Sequence, residues 1–131
     1  MTQLTVLHLP LCENLQNLNV FKYLTRLENS LLDLRKCKKL ENLNGVENLT
    51  RLKLSDCENL QSIDGILKLS QLSEIKLCRC KNLKNVNGLS NMIRRLFMQD
   101  CENLQNIDGL KNLTELSELK FLSQSSKCEF T

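Results

Sequence analysis

Residues 57–69, C-E-N-L-Q-S-I-D-G-I-L-K-L, return almost letter for letter as residues 101–113, C-E-N-L-Q-N-I-D-G-L-K-N-L. Looser copies start at Cys80 (C-K-N-L-K-N-V-N-G-L-S-N-M), Cys37 (C-K-K-L-E-N-L-N-G-V-E-N-L) and Cys12 (C-E-N-L-Q-N-L-N-V-F-K-Y-L). All four glycines, Gly45, Gly65, Gly88 and Gly109, stand eight residues after a repeat cysteine and follow Asp or Asn. Upstream, an apolar pair recurs five and three residues before each cysteine: Leu7/Leu9, Leu32/Leu34, Leu52/Leu54, Ile75/Leu77 and Leu96/Met98, with a sixth pair, Leu119/Phe121, after the last full copy. The frame is therefore L-x-L-x-x-C-x-N-L-x-x-I-x-G-L-x-x-L. Only the connection to the next copy changes length, holding seven, two, five and three residues in turn, so insertions are confined to one edge.

The L-x-L pair reads as a short strand, because a period of two puts both leucines on one face and the residue between them on the other. After the cysteine the apolar residues advance by threes, as in Cys57, Leu60, Ile63, Ile66 and Leu69. On an α-helix, five such positions would smear over about 240° and no single face could bury them. Tight turns and three-residue helical turns keep every third residue pointing inward, and the Asp-Gly or Asn-Gly step is expected to mark a bend with positive φ. Val20 occupies the glycine position of the first copy, so that turn is expected to take a different shape. The repeat cysteine is predicted to be a small buried ladder residue whose weak S–H donor meets backbone carbonyls in the turn.

This frame resembles the leucine-rich repeat family, whose signature L-x-x-L-x-L-x-x-N/C-x-L it meets in phase over nearly the whole chain, with the C-x-N-L variant of irregular repeats. The resemblance implies a leucine-rich repeat solenoid, α/β by convention: a right-handed curved coil with short parallel strands on its concave face and mostly turns and 3-10 segments on its convex face. Residues 1–131 are read as one domain of about five full repeats plus a partial sixth strand. Neither end carries an evident capping unit: Met1-Thr-Gln-Leu4 aligns with Leu69-Ser-Gln-Leu72, and the last repeat breaks off in S-S-K-C-E-F-T. Self-association through uncapped ends is one expectation; another is that the chain is a recognition segment of a larger effector or receptor whose activity lies in another domain.

The net charge of +3 is too small to imply a nucleic acid or an anionic membrane. The start shows no secretory leader, and no apolar run approaches the roughly 20 residues of a membrane span. Seven cysteines is an odd number, and five of them hold the repeat position, so reduced thiols and a cytoplasmic location are expected. Chemistry is scarce. His8 is the only histidine, so no Ser-His-Asp arrangement or histidine-rich metal site can be assembled. Cys78-Arg79-Cys80 lacks the second pair that a zinc site needs, and the solitary glycines form no phosphate-cradling loop. The expectation is a non-enzyme with no cofactor and no metal.

Function is expected on the strand face that points away from the core, the surface through which the family usually contacts ligands. Between the paired apolar positions the six copies read His8, Asp33, Lys53, Lys76, Phe97 and Lys120. The adjoining rows bring Arg35, Asp56, Arg79 and Gln99 on one side, and Arg51, Glu74, Arg95 and Glu118 on the other. The candidate contact residues are Asp33, Arg35, Lys53, Asp56, Lys76, Arg79, Arg95, Phe97, Gln99 and Lys120. Phe97 is the expected apolar anchor, since aromatic residues dominate interface hot spots, and the basic centre suits a protein partner with an acidic patch. With no second aromatic platform for stacking bases, nucleic acid is not the expected partner.

Overall fold

The computed structural model describes residues 6–9, 11–19, 30–44, 49–68 and 70–120. Each apolar pair lies on a short strand: β1 (Val6–His8), β2 (Ser30–Asp33), β3 (Leu49–Lys53), β4 (Glu74–Lys76), β5 (Arg95–Phe97) and β6 (Glu118–Lys120). They form one parallel sheet in chain order, β1-β2-β3-β4-β5-β6. Parallel neighbours need a crossover between them, and here each crossover is the rest of one repeat, so the chain winds as a solenoid. The register follows the repeat frame. Leu7, Leu32, Leu52, Ile75, Leu96 and Leu119 are partners across the sheet, and one residue on, His8, Asp33, Lys53, Lys76, Phe97 and Lys120 are partners too.

The return path is turn upon turn. Cys57 N–H donates to Leu54 O (3.2 Å), Leu60 N–H to Cys57 O (3.2 Å) and Ile66 N–H to Ile63 O (3.0 Å), so these inward residues close i→i+3 turns on the inward residue before them. That geometry fits a period of three, and Asp64–Lys68 and Asp108–Asn112 tighten into 3-10 segments. Columns of equivalent residues make the core: Leu34, Leu54 and Leu77; Leu40, Leu60 and Leu83; Leu43, Ile63 and Val86, all at most 1% exposed. Coverage comes from the next coil. Ile107, which continues the last of these columns, is 47% exposed. With Val6, Leu11 and Leu119 it places exposed apolar side chains at the first and last turns of the stack.

One side-chain ladder ties the coils together outside the sheet, and a column of turns repeats within them. The thiols of Cys37, Cys57, Cys80 and Cys101 donate to Leu9 O (3.4 Å), Leu34 O (3.3 Å), Leu54 O (3.1 Å) and Leu77 O (3.0 Å), in each case the carbonyl three residues before the previous repeat cysteine. This is the ladder role expected of the cysteine. On the return path, Asn17, Asn42, Asn85 and Asn106 each accept, through the side-chain carbonyl, the N–H two residues on (2.7–3.1 Å), forming a column of Asx turns that breaks only at Ser62.

The glycines behave differently from expectation. Among the described ones only Gly88, in the Asn-Gly copy, has positive φ (101°). Gly65 and Gly109, in the Asp-Gly copies, begin 3-10 turns and are needed for space: a Cβ on Gly65 would stand 2.9 Å from Leu43 C, and one on Gly109 would run into the carbonyl of Val86, 2.7 Å from its carbon. Coil-to-coil approach, not a left-handed bend, selects glycine there. Positive φ falls instead on the residue before each repeat cysteine: Leu11, Lys36, Asp56, Arg79 and Asp100, at 59–64°. Each of the first four directs its N–H to the next coil, as Lys36 does to Ser55 O (2.9 Å) and Asp56 to Cys78 O (2.9 Å). Such ladder bonds offset a conformation that costs roughly 1–2 kcal/mol in a residue with a side chain. Val20 and Gly45 lie outside the described residues. Gly109→Ala is expected to destabilise the fold by about 1–3 kcal/mol, since the obstructing atoms are backbone and cannot rotate away; urea unfolding of the variant measures it.

Candidate protein-binding face

The outward rows of the sheet carry three arginine–carboxylate clusters. Asp33, fully buried, accepts Arg35 Nε (2.9 Å) and Nη2 (2.8 Å), the Arg35 backbone N–H (3.2 Å) and His8 Nδ1 (3.0 Å). Burial works against its charge, but the hydrogen bonds from Arg35 and His8 outweigh burial and hold the carboxyl below its ordinary pKa. Arg79, two coils further on, forks back onto Asp56 of the coil before it with two bonds of 2.9 Å. Arg95 spans three strands, with Nη1 3.1 Å from Glu74 on β4 and Nε 3.1 Å from Glu118 on β6. Bidentate arginine pairs fix side-chain direction as well as charge, so this face is ordered before anything binds it.

The centre is tighter than the sequence suggests. Phe97, the expected exposed anchor, is only 2% exposed, with Lys76 Nζ 5.0 Å and Arg95 Cζ 5.6 Å from its ring centroid. It packs against Cys78, and Gln99 beside them is 2% exposed. Lys76 is also 2% exposed, and burial lowers its ammonium pKa to about 8. Ser55 Oγ is buried and finds no hydrogen-bond partner among the described residues. Of the candidate contact residues, Arg35, Lys53, Asp56, Arg79 and Arg95 reach solvent, Asp33, Lys76, Phe97 and Gln99 are sealed, and Lys120 is placed only by its backbone in β6.

Cysteine usage needs one correction. Cys12, Cys37, Cys57, Cys80 and Cys101 are free, as expected, but Cys78 is disulfide-bonded. It is the cysteine of the C-R-C step that lies off the repeat position, two residues before Cys80. Its sulfur lies 3.8 Å from Gln99 Oε1, a packing contact, since a disulfide sulfur has no proton to donate.

Elsewhere, a hollow of about 380 Å³ on the return path is lined by Glu41, Asn42, Asn59, Gln61 and Ser62. Among the described residues no group of three His, Cys, Asp or Glu side chains is placed to hold a metal ion, and no helix is long and apolar enough to cross a membrane. The fold defines a class, the parallel-strand repeat solenoid. No family model, curated protein or solved structure matches the chain.

Proposed function

We propose that the chain is a leucine-rich repeat solenoid that works in the cytoplasm as a non-catalytic interaction module, contacting a protein partner through its strand face. One observation carries this reading. In a single register, the inward row is aliphatic in all six strands, while the row one residue on reads His, Asp, Lys, Lys, Phe, Lys. Packing dictates the first row; in the second, His8 and Lys53 reach solvent over the sealed Asp33, Lys76 and Phe97 and are the ones open to a partner. The arginine–carboxylate clusters support it, because side chains already held in place lose less entropy when a partner docks. Lys53 and Arg51 on β3 project from this ordered field and suit an acidic patch on the partner.

The Arg51→Glu/Lys53→Glu variant changes two solvent-reaching positions and no core column, so its circular dichroism and thermal midpoint are expected to match those of the wild type. Capture of a specific partner from native lysate, identified by mass spectrometry, is expected to fall by about tenfold or more, corresponding to roughly 1.4 kcal/mol of binding. A partner retained equally by both proteins would move recognition to the return path or the exposed apolar ends.

A further inference from the structure

The residue before the repeat glycine is Asp in two copies, Asp64 and Asp108, and Asn in two, Asn44 and Asn87. Gly45 lies outside the described residues, so Asn87–Gly88 is the Asn-Gly step whose two residues are both described. It forms a turn on the return path of the fourth coil, with Asn87 exposed and Gly88 half-buried. The turn is held at its start, where Asn87 N–H donates to Asn85 Oδ1 (3.1 Å). Beyond that point it is open: among the described residues neither the Asn87 side-chain amide nor the Gly88 N–H has a hydrogen-bond partner. Gly88 has φ 101°, and without a Cβ it does nothing to shield its own nitrogen.

We propose that Asn87 is a self-modification site, at which the Gly88 backbone nitrogen closes on the Asn87 side chain and converts the asparagine to aspartate or isoaspartate. Hydroxide takes the Gly88 amide proton, and the nitrogen attacks Asn87 Cγ. The N–Cγ bond forms, the Cγ–Nδ2 bond breaks, and the side-chain nitrogen leaves as ammonia, taking a proton from water and restoring the hydroxide. Water then opens the resulting succinimide. Breaking the new N–Cγ bond yields aspartate; breaking the original peptide bond yields isoaspartate, whose main chain runs through Cβ and Cγ. Asparagine is among the thermally labile residues for this reason. The neighbours are protected: Asn82, Asn85, Asn103 and Asn106 precede Leu83, Val86, Leu104 and Ile107, whose side chains obstruct the attack. Asn85 and Asn106 also commit their side-chain carbonyls to Asx turns.

The two products meet different surroundings. Aspartate makes the fourth coil resemble the third and fifth, where Asp64 and Asp108 are exposed at the same position. Isoaspartate lengthens the main chain where Gly109 of the fifth coil already lies flush against it: a Cβ on Gly109 would stand 2.7 Å from Val86 C and 3.2 Å from Asn87 N. Its formation therefore loosens the junction of the fourth and fifth coils and leaves the strand face untouched. The site stands independently of the interaction-module reading.

The test incubates the full chain at neutral and at mildly alkaline pH, beside a synthetic peptide of residues Leu83–Met92. Peptide mass spectrometry with fragmentation that separates isoaspartate from aspartate follows both. Asn87 of the folded chain should convert at a rate within several-fold of the peptide's, faster at the higher pH, while Asn82, Asn85, Asn103 and Asn106 stay intact and Asn87→Gln stays unmodified. Asn87 intact in the folded chain after the peptide has converted, or conversion spread evenly over the other asparagines, would overturn the site. Amide exchange reads the consequence. The isoaspartyl form should exchange several-fold faster in the fourth and fifth coils, with Asn87→Asp matching the wild type; an isoaspartyl form as protected as the wild type would overturn the loosened junction.

Discussion

Replacing Leu60 by Ala is expected to lower the unfolding free energy by about 2–5 kcal/mol, the range for a buried leucine whose surroundings cannot collapse. Leu60 is fully buried in the third copy, between Leu40 and Leu83 of the flanking coils. The surroundings are held open by hydrogen bonds that the substitution leaves intact: Leu60 N–H to Cys57 O at 3.2 Å within the coil, and thiol donors at 3.3 and 3.1 Å binding Cys57 to the coil before it and Cys80 to the coil of Cys57. Those struts fix the coil spacing, so the cavity stays. In a solenoid each coil is stabilised chiefly by its neighbours, so amide exchange should quicken in both flanking coils and not only in the third. The same change at Leu104, its equivalent in the fifth copy and only half-buried, should cost markedly less. Urea unfolding of both variants measures the contrast; equal and near-zero effects would mean that these positions do not form a common core column.

What the sequence revealed and what it hid divide along the repeat. Anything imposed on every coil was legible, because five copies of a word expose its invariant letters: the inward columns, the strand register and the thiol ladder all follow from the frame. The left-handed residue was imposed on every coil as well, yet it was hidden. Its identities run Leu, Lys, Asp, Arg, Asp, and none is glycine, because the neighbouring coil's carbonyl, not the residue's own freedom, stabilises the conformation. Glycine was legible as a column but misread as a bend; its cause at Gly109, the Val86 carbonyl, belongs to the preceding coil. The burial of Phe97 and the bonding of Cys78 occur in single copies, where superposing repeats averages the signal away. The one available hint was that Cys78 lies off the cysteine column. The leucine-rich repeat reading remains a proposal built on this frame, while the solenoid itself is what the sheet displays.

The thiol ladder that joins the coils should also set their alkaline limit. Burial is the leading cause that pushes Cys57 up to about 12 and Cys101 up to about 11, and it raises Cys37 and Cys80 as well. In the unfolded chain these thiols ionise near their ordinary value of 9, so above that pH the unfolded state binds fewer protons than the folded one and stability falls. The contribution of each thiol is intact below about 9 and is lost as the pH climbs toward 11–12, on the order of 4 kcal/mol for Cys57 at 1.36 kcal/mol per unit. Lys76 acts in the opposite sense. Burial lowers its pKa from 10.5 to about 8, so the unfolded chain holds the extra proton between those values and stability rises there with pH. One lysine is opposed by four raised thiols, so the expected profile rises by about 1 kcal/mol between pH 8 and 9 and turns steeply downward above it. Urea midpoints taken from pH 7 to 12 trace it, and Cys57→Ala should flatten the downward limb by the share of one thiol, because the mutant has no proton to lose at that rung. A limb equally steep in the mutant would place the alkaline loss outside the ladder, whereas a flat wild-type profile would mean that the rungs are open to water and that the coils are held by the sheet and the aliphatic columns alone.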